Sequence, residues 1–286
     1  MKSAIIFKRA LAAVAVLAGA VLLLAAPAPA QAASFDSLDA IKARGSVRIG
    51  VFSDKPPFGF VDSQGRNQGY DVFFARRIAR DLFGDENKVE FVLVEAASRV
   101  EFLQSNKVDI ILANFTVTPD RAQKVDFAKP YMKVALGVVS PATAKITDVA
   151  QLKGKKLIVN KGTTAELYFT EKHPEISLLK YDQNTEAFNA LKDRRGAALA
   201  HDNTLLFAWS RENPGFVAGI EFLGSLDAIA PAVAKGNASL LNWLNDEIVK
   251  LGKERFFHQA YDATLKPVYG DDIDPESVVT EGGDID

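Results

Sequence analysis

The chain has 286 residues, 48% of them hydrophobic and 24% charged, with 34 Lys and Arg against 36 Asp and Glu and no cysteine. A chain without cysteine has no disulfide framework, thiolate metal site, Fe–S cluster or cysteine nucleophile, and a formal charge of −2 argues against a nucleic-acid binder, whose contact face is basic. The apolar content and moderate charge exclude a disordered chain and allow one large core or two smaller ones.

In chain order, Lys2, Lys8 and Arg9 precede an uncharged Ala/Val/Leu run, Ala10 to Ala26, and then the small-residue stretch PAPAQAA. That order predicts a secretory signal peptide over 1–33, cleaved after Ala32 or Ala33. The run is shorter than the roughly 20 apolar residues of a spanning helix. With no cysteine to carry acyl chains, the exported protein is expected to be free of a lipid anchor and to reside in the periplasm.

Beyond the leader, short β-rich runs alternate with helical ones, which predicts an α/β fold with largely parallel sheets. Strands are expected at 47–52, 89–94, 108–112, 134–139, 156–159, 177–180, 197–200 and 229–234. Helices are expected at 71–83, 99–104, 119–124, 163–172, 185–193, 203–212, 239–251 and 253–261. In the first, Val72, Ala75, Ile78, Ala79 and Leu82 form one apolar stripe, the helical period. Ser98-x-x-Glu101 and Thr163-x-x-Glu166 fit the capping box, and Thr118-Pro119 puts a cap before a proline at the first helical position. The acidic, Gly-rich tail after Tyr269 is expected on the surface, partly disordered.

Chemistry concentrates where strands end. VDIILANFTVTPDR runs from a buried strand through Asn114 and Thr116 into a capped helix start, with Arg121 in its first turn. A cation there opposes the helix dipole, which an anion shared by the guanidinium and the free N–H groups would offset; a surface Arg paired with Asp120 or Glu101 is the plain alternative. NKGTTAE places Thr163 and Thr164 at another helix start, an anion cradle or an ordinary connection. AALAHDNT ends a small apolar strand in His201-Asp202, where Asp202 either meets a cation or caps the next helix; alternation makes His201 structural. GVFSDKPPFGF offers Phe52 and Lys55 as a ligand-facing wall or a solvated loop. No catalytic constellation accompanies these groups, the three histidines are scattered, and no metal or cofactor is expected. An arginine for a carboxylate and an aspartate for an ammonium describe a receptor for a zwitterion.

With these motifs the chain resembles the polar amino-acid branch, family 3, of bacterial extracellular solute-binding proteins, the capture components of ABC importers. GVFSDKPPFGFVDSQGRNQGYDV, NFTVTPDRAQKVDFAKPYM, NKGTTAELYF and AHDNTLLF carry the likeness, which spans about 38–269. Within the branch DKPPFGF, KVDIILANFTVTP and KYDQNTEAF look most like the cysteine-binding member, then acidic amino-acid binders. The resemblance implies a two-lobed type II α/β fold with two mixed, mostly parallel sheets and a two-strand hinge near Leu136 and Ile229. Lobe 1 would comprise 34–135 and 227–286, and lobe 2 136–226. It implies Arg121 for the α-carboxylate, Asp202 for the α-ammonium, Thr164 with Thr163 for the carboxylate, Asn114 and Thr116 as polar wall, and Phe52 and Lys55 for selectivity. The partners implied are a free L-amino acid, with cysteine first and aspartate, glutamate or cystine behind it, and a membrane permease. A monomer is expected, with no nucleic acid bound. A basic or glutamine ligand is not supported at Phe52 and Lys55. A periplasmic dehydratase acting on cyclohexadienyl acids is the rival enzyme reading.

Overall fold

A computed structural model describes residues 35–283; the expected signal peptide lies outside them. Helix α1 (Leu38–Arg44) leads into strand β1 (Val47–Val51) and a small three-stranded sheet of β2 (Asp54–Lys55), β3 (Gly59–Val61) and β4 (Asn67–Gln68). Then follow α2 (Tyr70–Phe83), β5 (Val89–Leu93), α3 (Arg99–Gln104), β6 (Ile110–Ile111), α4 (Pro119–Ala122) and β7 (Val125–Phe127). The long strand β8 (Met132–Pro141) opens a second series: β9 (Lys156–Asn160), α5 (Thr164–Lys172), β10 (Ser177–Tyr181), α6 (Asn184–Lys192), β11 (Ala198–Asp202), α7 (Asn203–Glu212) and β12 (Phe216–Ile229). The chain closes with β13 (Ala232–Ala234), α8 (Ala238–Lys253), α9 (Phe256–Thr264) and α10 (Lys266–Tyr269).

Two five-stranded sheets result, ordered β5-β1-β6-β13-β7 and β10-β9-β11-β8-β12. Each is parallel on one side and antiparallel on the other: β1 pairs parallel with β5 and β6, and β9 with β10 and β11, whereas β13, β8 and β12 pair antiparallel. The antiparallel members are the strands by which the chain leaves one sheet and returns to it. β8 and β12 pair from Phe216–Pro141 to Ile229–Met132, and an isolated bridge joins Thr116 to Ile229, so this ribbon connects the two lobes.

Local chemistry explains the elements. The stripe expected on α2 is buried at Val72, Ala75, Ile78 and Ala79, and Gly84 ends the helix in the left-handed region, where a residue without Cβ carries no steric cost. Thr163 caps α5 by accepting from Glu166 N, and Thr118 caps α4 by accepting from Arg121 N. The box expected at Ser98-x-x-Glu101 does not form. Ser98 instead closes the preceding turn, its Oγ accepting from Glu95 N at 3.2 Å, because the chain makes a 3₁₀ turn at Ala96–Ser98 before α3 begins.

The tail also departs from expectation. Val278, Val279 and Thr280 are buried, Lys133 N donates to Val278 O at 2.8 Å, and Glu281 accepts from His258 N. Two β-branched valines within the acidic stretch supply the apolar anchor that its overall charge concealed. Among the described residues no helix is long and apolar enough to cross a membrane.

Candidate functional site

Four strand ends converge. Chain leaving β1 carries Phe52 and, in β2, Lys55. Chain leaving β6 carries Asn114 and Thr116 and, in α4, Arg121. Chain leaving β9 carries Thr163 and Thr164, and β11 ends in His201 and Asp202. These nine residues, joined by Arg99 at the start of α3, line one enclosed space between the lobes. All eight residues expected from the sequence are brought together there. The remaining space is about 10 Å³, room for roughly one water, so an amino acid enters only when the lobes part or the lining moves.

The centre is an ion pair across the cleft. Lys55 Nζ donates to Asp202 Oδ2 at 2.7 Å and to Asn114 Oδ1 at 2.6 Å. Its ammonium also lies 5.4 Å from the Phe52 ring centroid and 5.7 Å from that of Phe58, a favourable cation–π distance. Both partners are buried. Burial opposes ionisation of Asp202, but the Lys55 ammonium outweighs it and holds the carboxyl far below its ordinary range. Burial dominates at Lys55 and lowers its ammonium despite Asp202. Asp202 precedes α7 yet its side chain caps nothing, and its Oδ1 receives no hydrogen bond among the described residues; that oxygen is available to a second cation. His201 accepts from Asp202 N at Nδ1, 2.7 Å, and burial with the nearby Lys55 lowers its pKa, which keeps it neutral. The sequence makes His201 structural; the structure also places it on the lining, beside Asp202 at the end of β11.

The second pole is cationic. Arg121 makes no ion pair with Asp120 or Glu101; it donates to Thr116 O at 2.7 Å and, across the cleft, to Gly162 O at 2.8 Å, and stacks 4.6 Å from the Phe115 centroid. Burial lowers its pKa to about 10. Thr164 N and Ala165 N, the first two helical N–H groups of α5, have no protein acceptor among the described residues, as expected of a free helix start.

Arg99 was not singled out by the sequence. It is buried and donates to the carbonyls of Ala96, Ala113 and Asn114 and, across the cleft, of Gly162. Its guanidinium lies 4.4 Å from the Phe115 centroid. The only sequence signal was an arginine just beyond the carboxyl end of a strand, which is weak. Below this floor Tyr131 donates to Asp71 Oδ1 at 2.6 Å, and Asp71 Oδ2 has no partner. Burial raises the Asp71 carboxyl to about 7, against the hydrogen bond from Tyr131 and the pull of Lys55. Among the described residues no group of three or more His, Asp or Glu is arranged to hold a metal ion.

This fold and cleft define a two-lobed solute receptor. The model for bacterial extracellular solute-binding proteins, family 3, matches residues 47–265, and the chain belongs to that family. It is 64% identical to a cysteine-binding protein from Campylobacter jejuni of known crystal structure, with a TM-score of 0.84 over 85% of this chain and 98% of that one. It is 61% identical to a solute receptor for L-cysteine of Neisseria gonorrhoeae, with a TM-score of 0.85 over 86% and 100%. It is also 34% identical, over 81% of this chain and 85% of the other, to the ABC transporter glutamine-binding protein GlnH of Bacillus subtilis strain 168.

Proposed function

We propose that this protein is the periplasmic receptor of an ABC importer, capturing L-cysteine between its lobes and presenting it to a membrane permease. The observation that carries this reading is the convergence of Arg121 and the α5 start on one side with Asp202 on the other, in a single buried space. A free amino acid offers opposite charges to match both poles. The α-carboxylate would take the Arg121 guanidinium, the Thr164 hydroxyl and the free N–H groups of α5, while the Thr163 hydroxyl, which donates to Asn160 O and accepts from Glu166 N, holds that helix start in place. The α-ammonium would take Asp202 Oδ1. Phe52, Lys55, Asn114, Thr116 and Arg99 would enclose the side chain. Cysteine is favoured over glutamine because the cysteine-binding relatives are far more similar to this chain than the glutamine-binding one.

Lobe 1 is assigned to 34–135 and 227–286 and lobe 2 to 136–226, supported by the membership of the two sheets and by the β8–β12 ribbon. On this reading the ligand stabilises closure only through contacts made in both lobes at once. The protein works as a monomeric carrier, not an enzyme, exported by the 1–33 leader.

Calorimetry against the twenty amino acids and cystine tests it: cysteine should bind most tightly, and an aspartate, glutamate or cystine preference would overturn the ligand assignment. Removing one partner of a buried charge pair costs about 2–5 kcal/mol, so Arg121→Ala should weaken binding by tens to thousands of fold. A loss below threefold rejects Arg121 as the carboxylate partner. Turnover of prephenate or arogenate to an absorbing aromatic product would favour the dehydratase reading instead.

A further inference from the structure

We propose that this site, on the cysteine reading above, takes its ligand as the thiolate and expels the thiol proton on binding. The argument is one of charge. Three cations line the cleft, Lys55, Arg99 and Arg121, against one carboxylate, Asp202. Lys55 and Asp202 neutralise each other at 2.7 Å. Among the described residues neither Arg99 nor Arg121 has a carboxylate within ion-pair distance; both are held by neutral carbonyls and aromatic faces.

Arg99 is buried and Arg121 half-buried, and an uncompensated charge drawn away from water is costly. A neutral zwitterion leaves that surplus unchanged, since its carboxylate offsets one cation and its ammonium adds another. Only an ionised side chain reduces it. Of the small side chains a thiol is suited to this: its pKa of about 8.5 is close enough to neutrality that neighbouring Lys and Arg bring it to about 3.5–7.5.

The other titratable groups facing this volume do not cancel the surplus. His201 is neutral, its Nδ1 occupied by Asp202 N–H, which leaves Nε2–H as a further donor to sulfur. Asp71 and Tyr131 lie under the floor, bonded to each other, and the Asp71 carboxyl holds its proton up to about 7. Asp227, half-buried near Arg121, is outside the lining, and burial raises its pKa as well. The step is a simple ionisation: the S–H bond breaks, the electron pair stays on sulfur and the proton goes to bulk water.

The protein's lack of cysteine makes the test direct, because any thiolate absorption in the complex belongs to the ligand. At pH 6.5 free cysteine is only about 1% thiolate. Ultraviolet difference titration of the wild-type protein at that pH should show a thiolate band saturating at one equivalent, and calorimetry in two buffers of different ionisation enthalpy should show release of about one proton. Heat-detected stoichiometric binding without the band overturns the ionisation claim and leaves the receptor reading standing. A flat calorimetric trace overturns both. Arg99→Gln should cut the bound thiolate fraction at pH 6.5 about tenfold, with Arg99→Lys restoring it; if Arg99→Gln does not fold, Lys55→Gln is read in the same way. An unchanged band in the folded neutral variant also overturns the proposal.

Discussion

Asp202 serves two partners, and the consequences of removing it can be separated. Its carboxylate already balances the buried Lys55 ammonium, so Asp202→Ala strands a charge and should cost about 3–5 kcal/mol of stability as well as binding. The pair Lys55→Met with Asp202→Leu removes both charges and should recover most of the melting temperature while leaving amino-acid binding abolished. Recovery of binding in that double variant would show that Asp202 does not hold the ammonium. Asp71 makes a pH signature. Its folded carboxyl is raised to about 7, so between about pH 4 and 7 the folded state binds more protons than the unfolded one, and its contribution to stability falls as pH rises through that window. Asp71→Asn removes that slope and should leave the variant more stable than wild type at pH 8, by up to about 4 kcal/mol. Parallel melting curves for the two proteins across pH 4–8 would count against this account.

At the level of elements, closure uses contacts that need no ligand. Gly162, between β9 and α5, has φ +73°, and a Cβ there would stand 2.5 Å from Ala97 Cα on the facing lobe. Its carbonyl receives both Arg99 and Arg121. Gly162→Ala should hold the lobes apart, visible as a larger radius of gyration by X-ray scattering in saturating cysteine. Asp54, beside the cleft, accepts from Asn184 Nδ2 at 2.9 Å and from Thr185 N at 3.1 Å, capping α6 from the other lobe. A helix cap is worth about 1 kcal/mol, so Asp54→Ala should weaken cysteine binding about fivefold without touching the ligand.

How much of this could be read in advance follows from periodicity. α2 and the β–α turns at Thr118 and Thr163 were legible because one apolar stripe or one cap defines each. The 14-residue strand β12 was not: its register shifts at Ala218/Ile220, Ile220/Leu223 and Leu223/Asp227 break the alternation that marks a strand. The two-residue strands β2 and β4 are too short to carry a period, whereas β6, equally short, was marked by the apolar run at 108–112. The eight lining residues were legible as a set because they lie in the turns after strands or at a strand's end. Arg99 was hidden because it reads as an ordinary helical arginine, and its burial follows only from Phe52 and Phe115 approaching from elements distant in sequence.

The whole molecule is joined by more than its two-stranded ribbon. After α9 the chain crosses to the second lobe, where Tyr269 donates to Thr204 O at 2.9 Å and Arg211 pairs with Asp272. It returns through Tyr261 to Ile273 O at 2.6 Å, then seals against β8 through Val278–Thr280 and docks Glu281 on His258. Truncation after Tyr269 should lower the melting temperature by several degrees and loosen the apo protein, seen as faster amide exchange along β8; unchanged exchange there would show the segment to be a passenger.

That returning segment touches α7 on one side and α9 on the other, so parting the lobes at the cleft must shear it at the back. Since the chain contains no other sulfhydryl, Asp272→Cys would accept one fluorophore at that spot. Its emission would follow each opening and closing from a distance, with no probe in the way of the cargo.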